Sequence, residues 1–201
     1  MAVMAGRLAD IYIATGSGTA MTGEAVTSLG GGVYQITDAA KRAINPNASV
    51  TVLDGVATVS PANYQVSWGA GKITLTNGYT ASGTITVTGE YLSLSQLAQG
   101  FEWQLEIQTD LEESQTFGDS WKERTAVMRG ASVSLQRFYQ DGYFQTNLGN
   151  RYVIALYIDQ PGGTRYVCGA HMTSAGVTVG ENELVKQSVQ FVAVGPVEFI
   201  P

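Results

Sequence analysis

Residues Phe101–Arg137 read FEWQLEIQTDLEESQTFGDSWKERTAVMRGASVSLQR. The first nine alternate strictly, with Phe101, Trp103, Leu105 and Ile107 on one side and Glu102, Gln104, Glu106 and Gln108 on the other. A period of two is the pattern of a β-strand with one buried and one wet face. A Gly-Asp turn segment, Phe117-Gly118-Asp119-Ser120-Trp121, follows. Alternation resumes at Ala131, with Ala131, Val133 and Leu135 opposed to Ser132, Ser134 and Gln136. The two runs predict strands over Phe101–Thr109 and Ala131–Phe138. Some twenty residues between Thr109 and Ala131 are left as a long loop, with a helical turn at Trp121–Thr125; loops of that length are usually functional or mobile.

Composition agrees with a mainly β chain. In 201 residues there are 24 glycines, only 14% are charged, and turns are supplied by Gly and Asn more than by the five prolines. Apolar content of 44% with a net charge of −6 excludes an intrinsically disordered chain. The single Cys168 excludes an internal disulfide framework. No apolar run approaches the ~20 residues of a membrane helix, and Met1–Asp10 lacks the apolar centre of a signal peptide. Charge is distributed unevenly. Glu102, Glu106, Asp110, Glu112, Glu113 and Asp119 fall in one segment without a cation, and Lys122, Arg124, Arg129 and Arg137 follow against Glu123 alone. Two readings stand: solvated strand and loop faces, or acidic and basic patches that meet between copies. No basic stripe with interleaved aromatics is present, so a direct grip on nucleic acid is disfavoured.

Upstream, Leu8, Ile11, Tyr12 and Ile13 mark a short strand, and the Gly/Thr/Ser-rich tract from Thr15 to Gly32 reads as a flexible arm or a frayed loop. Val33–Tyr91 reads as a compact β module. Thr37 or Asp38 caps a short helix over Asp38–Ile44, stopped by Asn45-Pro46. Val50–Leu53 and Val56–Val59 flank Asp54-Gly55, a strong hairpin signal. Tyr64–Trp68 and Lys72–Thr76 flank Gly69-Ala70-Gly71, Asn77-Gly78 turns again, and Thr84–Thr88 is a further strand. Leu92–Gly100 reads as a connector. Arg151–Asp159 and Val185–Val194 complete the strands of the second half.

Catalytic chemistry finds little support. With one histidine, no cluster of imidazole ligands can form. Cys168 and His171 lie three apart, which on a strand puts them on opposite faces: a buried thiol and a surface imidazole. Gly69-Ala70-Gly71-Lys72 is followed by Ile73, which breaks the phosphate-loop pattern. Glu102 and Glu106 share a strand face at roughly 13 Å, too wide for paired-carboxylate glycoside hydrolysis. Asn47-Ala48-Ser49 is a glycosylation sequon by pattern only. The reading is therefore of a non-enzyme that needs no cofactor and no metal. An alternative from another class is a carbohydrate-binding β-sandwich, with Tyr64, Trp68 and Tyr79 as a stacking platform; the same aromatics serve equally as core packing of the module.

The segment Phe101–Arg137 resembles the major tail tube proteins of long-tailed bacteriophages. The resemblance lies in the alternating Trp103-Gln104-Leu105-Glu106-Ile107, the Thr116-Phe117-Gly118-Asp119 turn, the Trp121-Lys122-Glu123 step and the second strand Ala131–Phe138. Gly6–Thr15 and the closing run Ser188–Phe191 with Gly195-Pro196 fit the same family. The resemblance implies a tail-tube β-sandwich or barrel over residues 92–201, with one or two short helices and completed by the strand in an N-terminal arm, 1–32. Residues 33–91 are then a small inserted module facing outward. It also implies six-membered rings that stack into a tube through which genomic DNA passes unbound. Implied partners are other copies of the chain and further tail proteins: tape measure, terminator and distal tail protein. The implied location is the virion, after synthesis in the host cytoplasm. A ring of another injection apparatus, or an adaptor or terminator, fits the same features. On this resemblance Glu102, Glu106 and Asp110 face the lumen. Glu112, Glu113, Phe117, Gly118, Asp119, Trp121, Lys122, Arg124 and Arg129 belong to a loop that reaches the neighbouring ring, with Trp121 as its anchor.

Overall fold

The long amphipathic hairpin dominates one of two antiparallel sheets. The computed structural model describes residues 9–14, 16–114, 123–181 and 183–201, with backbone alone at 111–114 and 123–128. The described residues form a mainly β protein. The first sheet is a curled half-barrel in the order β10 (Gly100–Ser114), β11 (Glu123–Phe138), β14 (Lys186–Ala193), β13 (Thr164–Thr178), β12 (Arg151–Asp159), β1 (Asp10–Ala14), β9 (Leu94–Gln96). The short β15 (Glu198–Ile200) pairs with the start of β13. The second sheet runs β5 (Ala57–Thr58), β4 (Thr51–Asp54), β8 (Ile85–Tyr91), β2 (Thr19–Gly30), β3 (Val33–Ile36), β7 (Lys72–Leu75), β6 (Tyr64–Ser67).

Each sheet has its own core. On the half-barrel, the inward positions of every strand converge, including Ile11, Ile13, Val133, Leu135, Ile154, Leu156, Met172, Val189 and Phe191, all buried. A single helical turn, α1 (Tyr143–Thr146), drives Phe144 into this core, edge-on to Phe191 and Tyr152. Arg137 closes the end of the core. Its guanidinium donates from Nε to Gln187 Oε1 at 2.5 Å and from Nη2 to Asp141 Oδ1 at 2.9 Å, and it lies 4.6 Å from the Phe144 ring centroid. Asp141 Oδ1 also accepts from the Tyr143 backbone N–H at 3.1 Å, so one buried cation fixes the start of the turn. The second core gathers Met21, Ile36, Ile44, Val52, Ile73, Ile85 and Val87.

The second sheet lies against the outer face of β1, β12 and β13. There Val153 packs with Ala14, Ala43 and Leu92, and Ala155 with Ala70 and Val167. The approach is close enough to require glycine on both sides. A Cβ on Gly169 would lie 2.8 Å from Trp68 Cδ1, and one on Gly69 would lie 2.8 Å from the Cys168 backbone N. Lys72 Nζ and Glu198 Oε2 pair at 2.7 Å across this junction, and Asn47 Nδ2 donates to the Arg151 carbonyl at 3.0 Å. With both faces covered, β12 shows an unbroken buried run, Tyr152–Leu156, where a half-exposed strand would alternate.

Several expectations are corrected. The twenty-residue loop between Thr109 and Ala131 does not exist as such: β10 continues to Ser114 and β11 starts at Glu123. A register shift between Asp110 and Leu111 breaks the period-two pattern there, so alternation no longer marks the strand. Of the helical turn expected at Trp121–Thr125, Glu123–Thr125 lie in β11 and the remainder is outside the described residues. The tract expected to be an arm or loop, residues 15–32, contains the twelve-residue strand β2. Its pairing shifts between Met21 and Glu24, where Gly23 at φ +58 forms a bulge and its N–H bonds the Thr88 hydroxyl at 2.9 Å. The helix expected over Asp38–Ile44 is one 3₁₀ turn, Ala39–Lys41, capped by Asp38 Oδ1 on the Ala40 N–H. Ile44 is pulled out of it: its side chain is fully buried, and its N–H donates to the Trp68 carbonyl at 2.8 Å. The connector Leu92–Gly100 contributes β9, which pairs with β1. Strands β13 and β15 were not expected from the sequence at all.

Candidate functional site

The outer face of the half-barrel is covered over one half and bare over the other. The bare half is built from β10, β11 and β14, whose registers set three cross-strand rows. Glu102 pairs with Gln136 and Gln136 with Ser188; Gln104 with Ser134 and Ser134 with Gln190; Glu106 with Ser132 and Ser132 with Val192. On β13 the rows continue to Gly176, Ser174 and His171. Strand pleating forces this arrangement, since the partners of the wet positions of β10 are the wet positions of β11 and β14. The surface consists mostly of short hydroxyls and amides, with Val192 the one exposed large apolar side chain on β14.

Charge on this face sits on its margins. Glu102, Glu106 and Asp110 are exposed along the outermost strand, and Gln108 Nε2 donates to Glu106 Oε1 at 2.6 Å. Lys186 stands at the far end of β14, 3.4 Å from Glu183. Arg151 lies where the face meets the covering sheet. It donates from Nε to His171 Nε2 at 3.0 Å, so His171 Nδ1 carries the proton and faces the Gly149 carbonyl at 3.3 Å. Between these margins the rows are uncharged. The sequence pointed to an acidic face; the geometry gives a neutral floor of Ser and Gln with one acidic rim.

The opposite face of the hairpin changes character along its length. Trp103 and Leu105 pack on the half-barrel core, whereas Ile107 further out is 55% exposed. Phe101, at the base, is 45% exposed and stacks at 4.8 Å on Phe138. The hairpin is thus anchored by two side chains and projects beyond its own core. Strand β10 is the end of its sheet, so the outer N–H and C=O groups of a fifteen-residue strand have no partner strand among the described residues.

The sequence-predicted residues distribute as follows. Glu102, Glu106 and Asp110 fall together on the outer rim of the bare face. Glu112 and Glu113 lie on β10 and Arg124 and Arg129 on β11, with Glu113 opposite Arg124 in the ladder, so they belong to strands and not to a loop. Phe117, Gly118, Asp119, Trp121 and Lys122 lie outside the described residues. Arg137, counted with the basic segment, is buried inside the core. The Ser and Gln positions of β11 and β14 complete the face and were missed as site residues, although their alternation was visible in the sequence.

The stacking platform for sugars is not formed. Tyr64 donates its hydroxyl to the Val50 carbonyl at 2.7 Å, Tyr79 donates to Asp54 Oδ2 at 3.0 Å, and all three aromatics, Trp68 included, pack on the second core. Asp54 also accepts from the backbone N–H groups of Ser82 and Gly83, led by Ser82. These bonds hold its carboxyl below the usual carboxylate range and pin the 79–83 loop. Cys168 is buried, and burial pushes its thiol up to about 12, which makes it a poor nucleophile. Among the described residues no group of three or more His, Cys, Asp or Glu is placed to hold a metal ion. No helix among the described residues is long and apolar enough to cross a membrane.

No protein-family model and no curated protein matches the sequence. Among solved structures, the chain is similar to a protein of the tail of an empty gene transfer agent particle determined with C6 symmetry. The identity is 15% and the TM-score 0.45, over 54% of this chain and 87% of that one. A chain from the virion of a native gene transfer agent particle is similar at 15% identity and a TM-score of 0.43, over 54% and 89% of the two chains.

Proposed function

We propose that this protein is a structural subunit of a phage-type tail, which assembles into six-membered rings stacked as a tube for the passage of DNA. The observation that carries the proposal is the bare half of the half-barrel: a projecting hairpin with an unpaired outer edge and an uncovered face of Ser, Gln and Glu. A long open edge in a folded monomer invites pairing with another chain, and closing several such edges into one ring satisfies their backbone groups. A ring built this way turns one face of every hairpin inward. Trp103 and Leu105 commit the apolar face to the subunit's own core, so the Ser/Gln face is the one left for the lumen.

That surface suits a conduit. It offers no cation on β10 to hold a phosphate, and Glu102, Glu106 and Asp110 repel one. DNA contacts dominated by phosphate need Lys and Arg, which the lumen floor lacks at the positions Ser132, Ser134, Ser188 and Gln190. The functional partners are other copies of the chain, with DNA passing and not bound.

The experiment is electron microscopy of the purified protein together with the Glu102→Lys, Glu106→Lys double variant. Hollow tubes with six-fold end views are expected from both, with DNA retained on the variant's tubes and not on the wild type's. Monodisperse monomers at all concentrations would contradict the assembly, and equal DNA retention would contradict the luminal placement of β10.

A further inference from the structure

The core-facing side of the half-barrel runs past its core at both ends, and the two ends differ in shape. At the end of β14 that holds Ala193, the inward positions open into a groove of 420 Å³. It is lined by the apolar Ile107, Ala131, Pro196 and Val197 together with the polar Gln65 and Arg129. At the opposite end, the described residues between β13 and β14, 179–181 and 183–185, form a largely exposed ridge. Val177 pairs with Gln187, an inward position, so the ridge continues the apolar side of the sheet. Val177, Val179 and Leu184 there are 43%, 73% and 68% exposed. Isolated exposed aliphatics need no explanation, but three on one hairpin tip form a patch.

The two features match in chemistry. The ridge carries Glu181 beside its aliphatics, with Glu183 paired at 3.4 Å to Lys186, and the groove carries the guanidinium of exposed Arg129 beside its own. Apolar matches apolar, and anion matches cation. They also match in placement, because β14 has the ridge at its start and the groove at its end. Two different patches at opposite ends of one strand are too far apart to satisfy each other within a molecule, so their partners lie on other copies. In the stacked rings proposed above they join copies head to tail, and a heterologous contact whose rotation does not close continues as an open stack.

We propose that the β13–β14 tip of one copy seats Val179 and Leu184 in the Ile107–Pro196 groove of the next, and that this is the axial contact between successive rings. The inference rests on the assembly reading above and assigns its stacking surface to the described ends of the half-barrel. Ring closure by the β10 edge and stacking by the ridge are then separate contacts, and they can be disrupted separately.

The test compares wild type with a Val179→Asp, Leu184→Asp double variant by sedimentation velocity and electron microscopy. Both residues are exposed, so the fold is expected to persist, checked by an unchanged thermal unfolding midpoint. The expected result is at least a tenfold loss of mean tube length, with single rings remaining. A second comparison reverses charge: Glu181→Arg with Glu183→Arg shortens tubes several-fold, and adding Arg129→Glu restores them. Full-length tubes from the Val179→Asp, Leu184→Asp protein would overturn the ridge-and-groove contact while leaving the tube assignment standing. Failure of Arg129→Glu to restore length would also count against it. A wild type that never assembles would overturn both.

Discussion

One face of one sheet is built in two ways. Over β1, β12 and β13 it carries Ala14, Val153, Ala155, Val167 and Gly169, and a second sheet lies on it so closely that Trp68 meets a bare Cα. Over β10, β11 and β14 the same face carries Ser132, Ser134, Gln136, Ser188 and Gln190 and nothing in the molecule covers it among the described residues. The backbone is the same in both halves, so the side chains decide which half is filled within the chain and which is left for something outside it. Small apolar residues permit close sheet packing, while hydroxyls and amides would have to be hydrogen-bonded if buried and are comfortable in water.

The sharpest contrast lies between neighbours on β11. Arg137→Ala removes a guanidinium that donates to fully buried Gln187 and to the exposed Asp141 carboxylate; leaving the Gln187 Oε1 buried without its donor costs about 1–3 kcal/mol, and the lost packing of the guanidinium on Phe144 adds to it. Gln136→Ala, one residue away on the bare face, is expected to change stability by no more than about 0.5 kcal/mol. Denaturant unfolding of the two variants checks the pair, and similar losses would remove the distinction between the faces.

Next in size is the covered half. Gly169→Val forces a side chain into the space of Trp68, and overpacking of this kind costs about 1–3 kcal/mol. Separate melting of the two sheets, seen as two calorimetric transitions where wild type has one, is the expected signature. A wild-type melting curve would mean that the second sheet sits more loosely than its geometry indicates.

The smallest effect concerns the covering sheet's own loop. Asp54 has a lowered folded-state pKa, first through the Ser82 backbone N–H, so its contribution is present above the ordinary carboxylate range and lost as pH falls through the folded value. Wild type should lose thermal stability on acidification below about pH 4. Asp54→Asn should be less stable at neutral pH and show a shallower loss on acidification. Parallel pH curves for the two proteins would show that Asp54 is not linked to folding.

What could be read from the sequence follows the same division. Strands with one wet face announced themselves: Phe101–Thr109, Ala131–Phe138 and Lys186–Ala193 alternate because water lies on one side. The hairpins at Asp54-Gly55 and Gly69-Ala70-Gly71 were legible because each turn demands one glycine, Gly55 and Gly71, both at positive φ, +63. The strand β13 was illegible because its Gly169, Ala170 and Gly176 look like turn chemistry, and Gly169 is glycine only because Trp68 comes from a segment a hundred residues away. β2 was hidden by Gly23 and Gly30, each at a register shift. Arg137 read as a surface charge because nothing local says that Gln187 and Phe144 will surround it. The candidate site was half legible. The acids of β10 stood out, whereas the hydroxyl floor is a property of three strands in register and exists only once they pair.

The central claim is that the bare face lines an enclosed channel. Ser134 sits in the middle row, between Gln104 and Gln190, and the single native thiol, Cys168, is buried and unreactive. In a Ser134→Cys variant, reaction with a maleimide on a long polyethylene glycol chain should be fast in the monomer and fall at least tenfold on assembly, while a small maleimide still reacts. Equal rates with the bulky reagent before and after assembly would place this face on the outside and contradict the account.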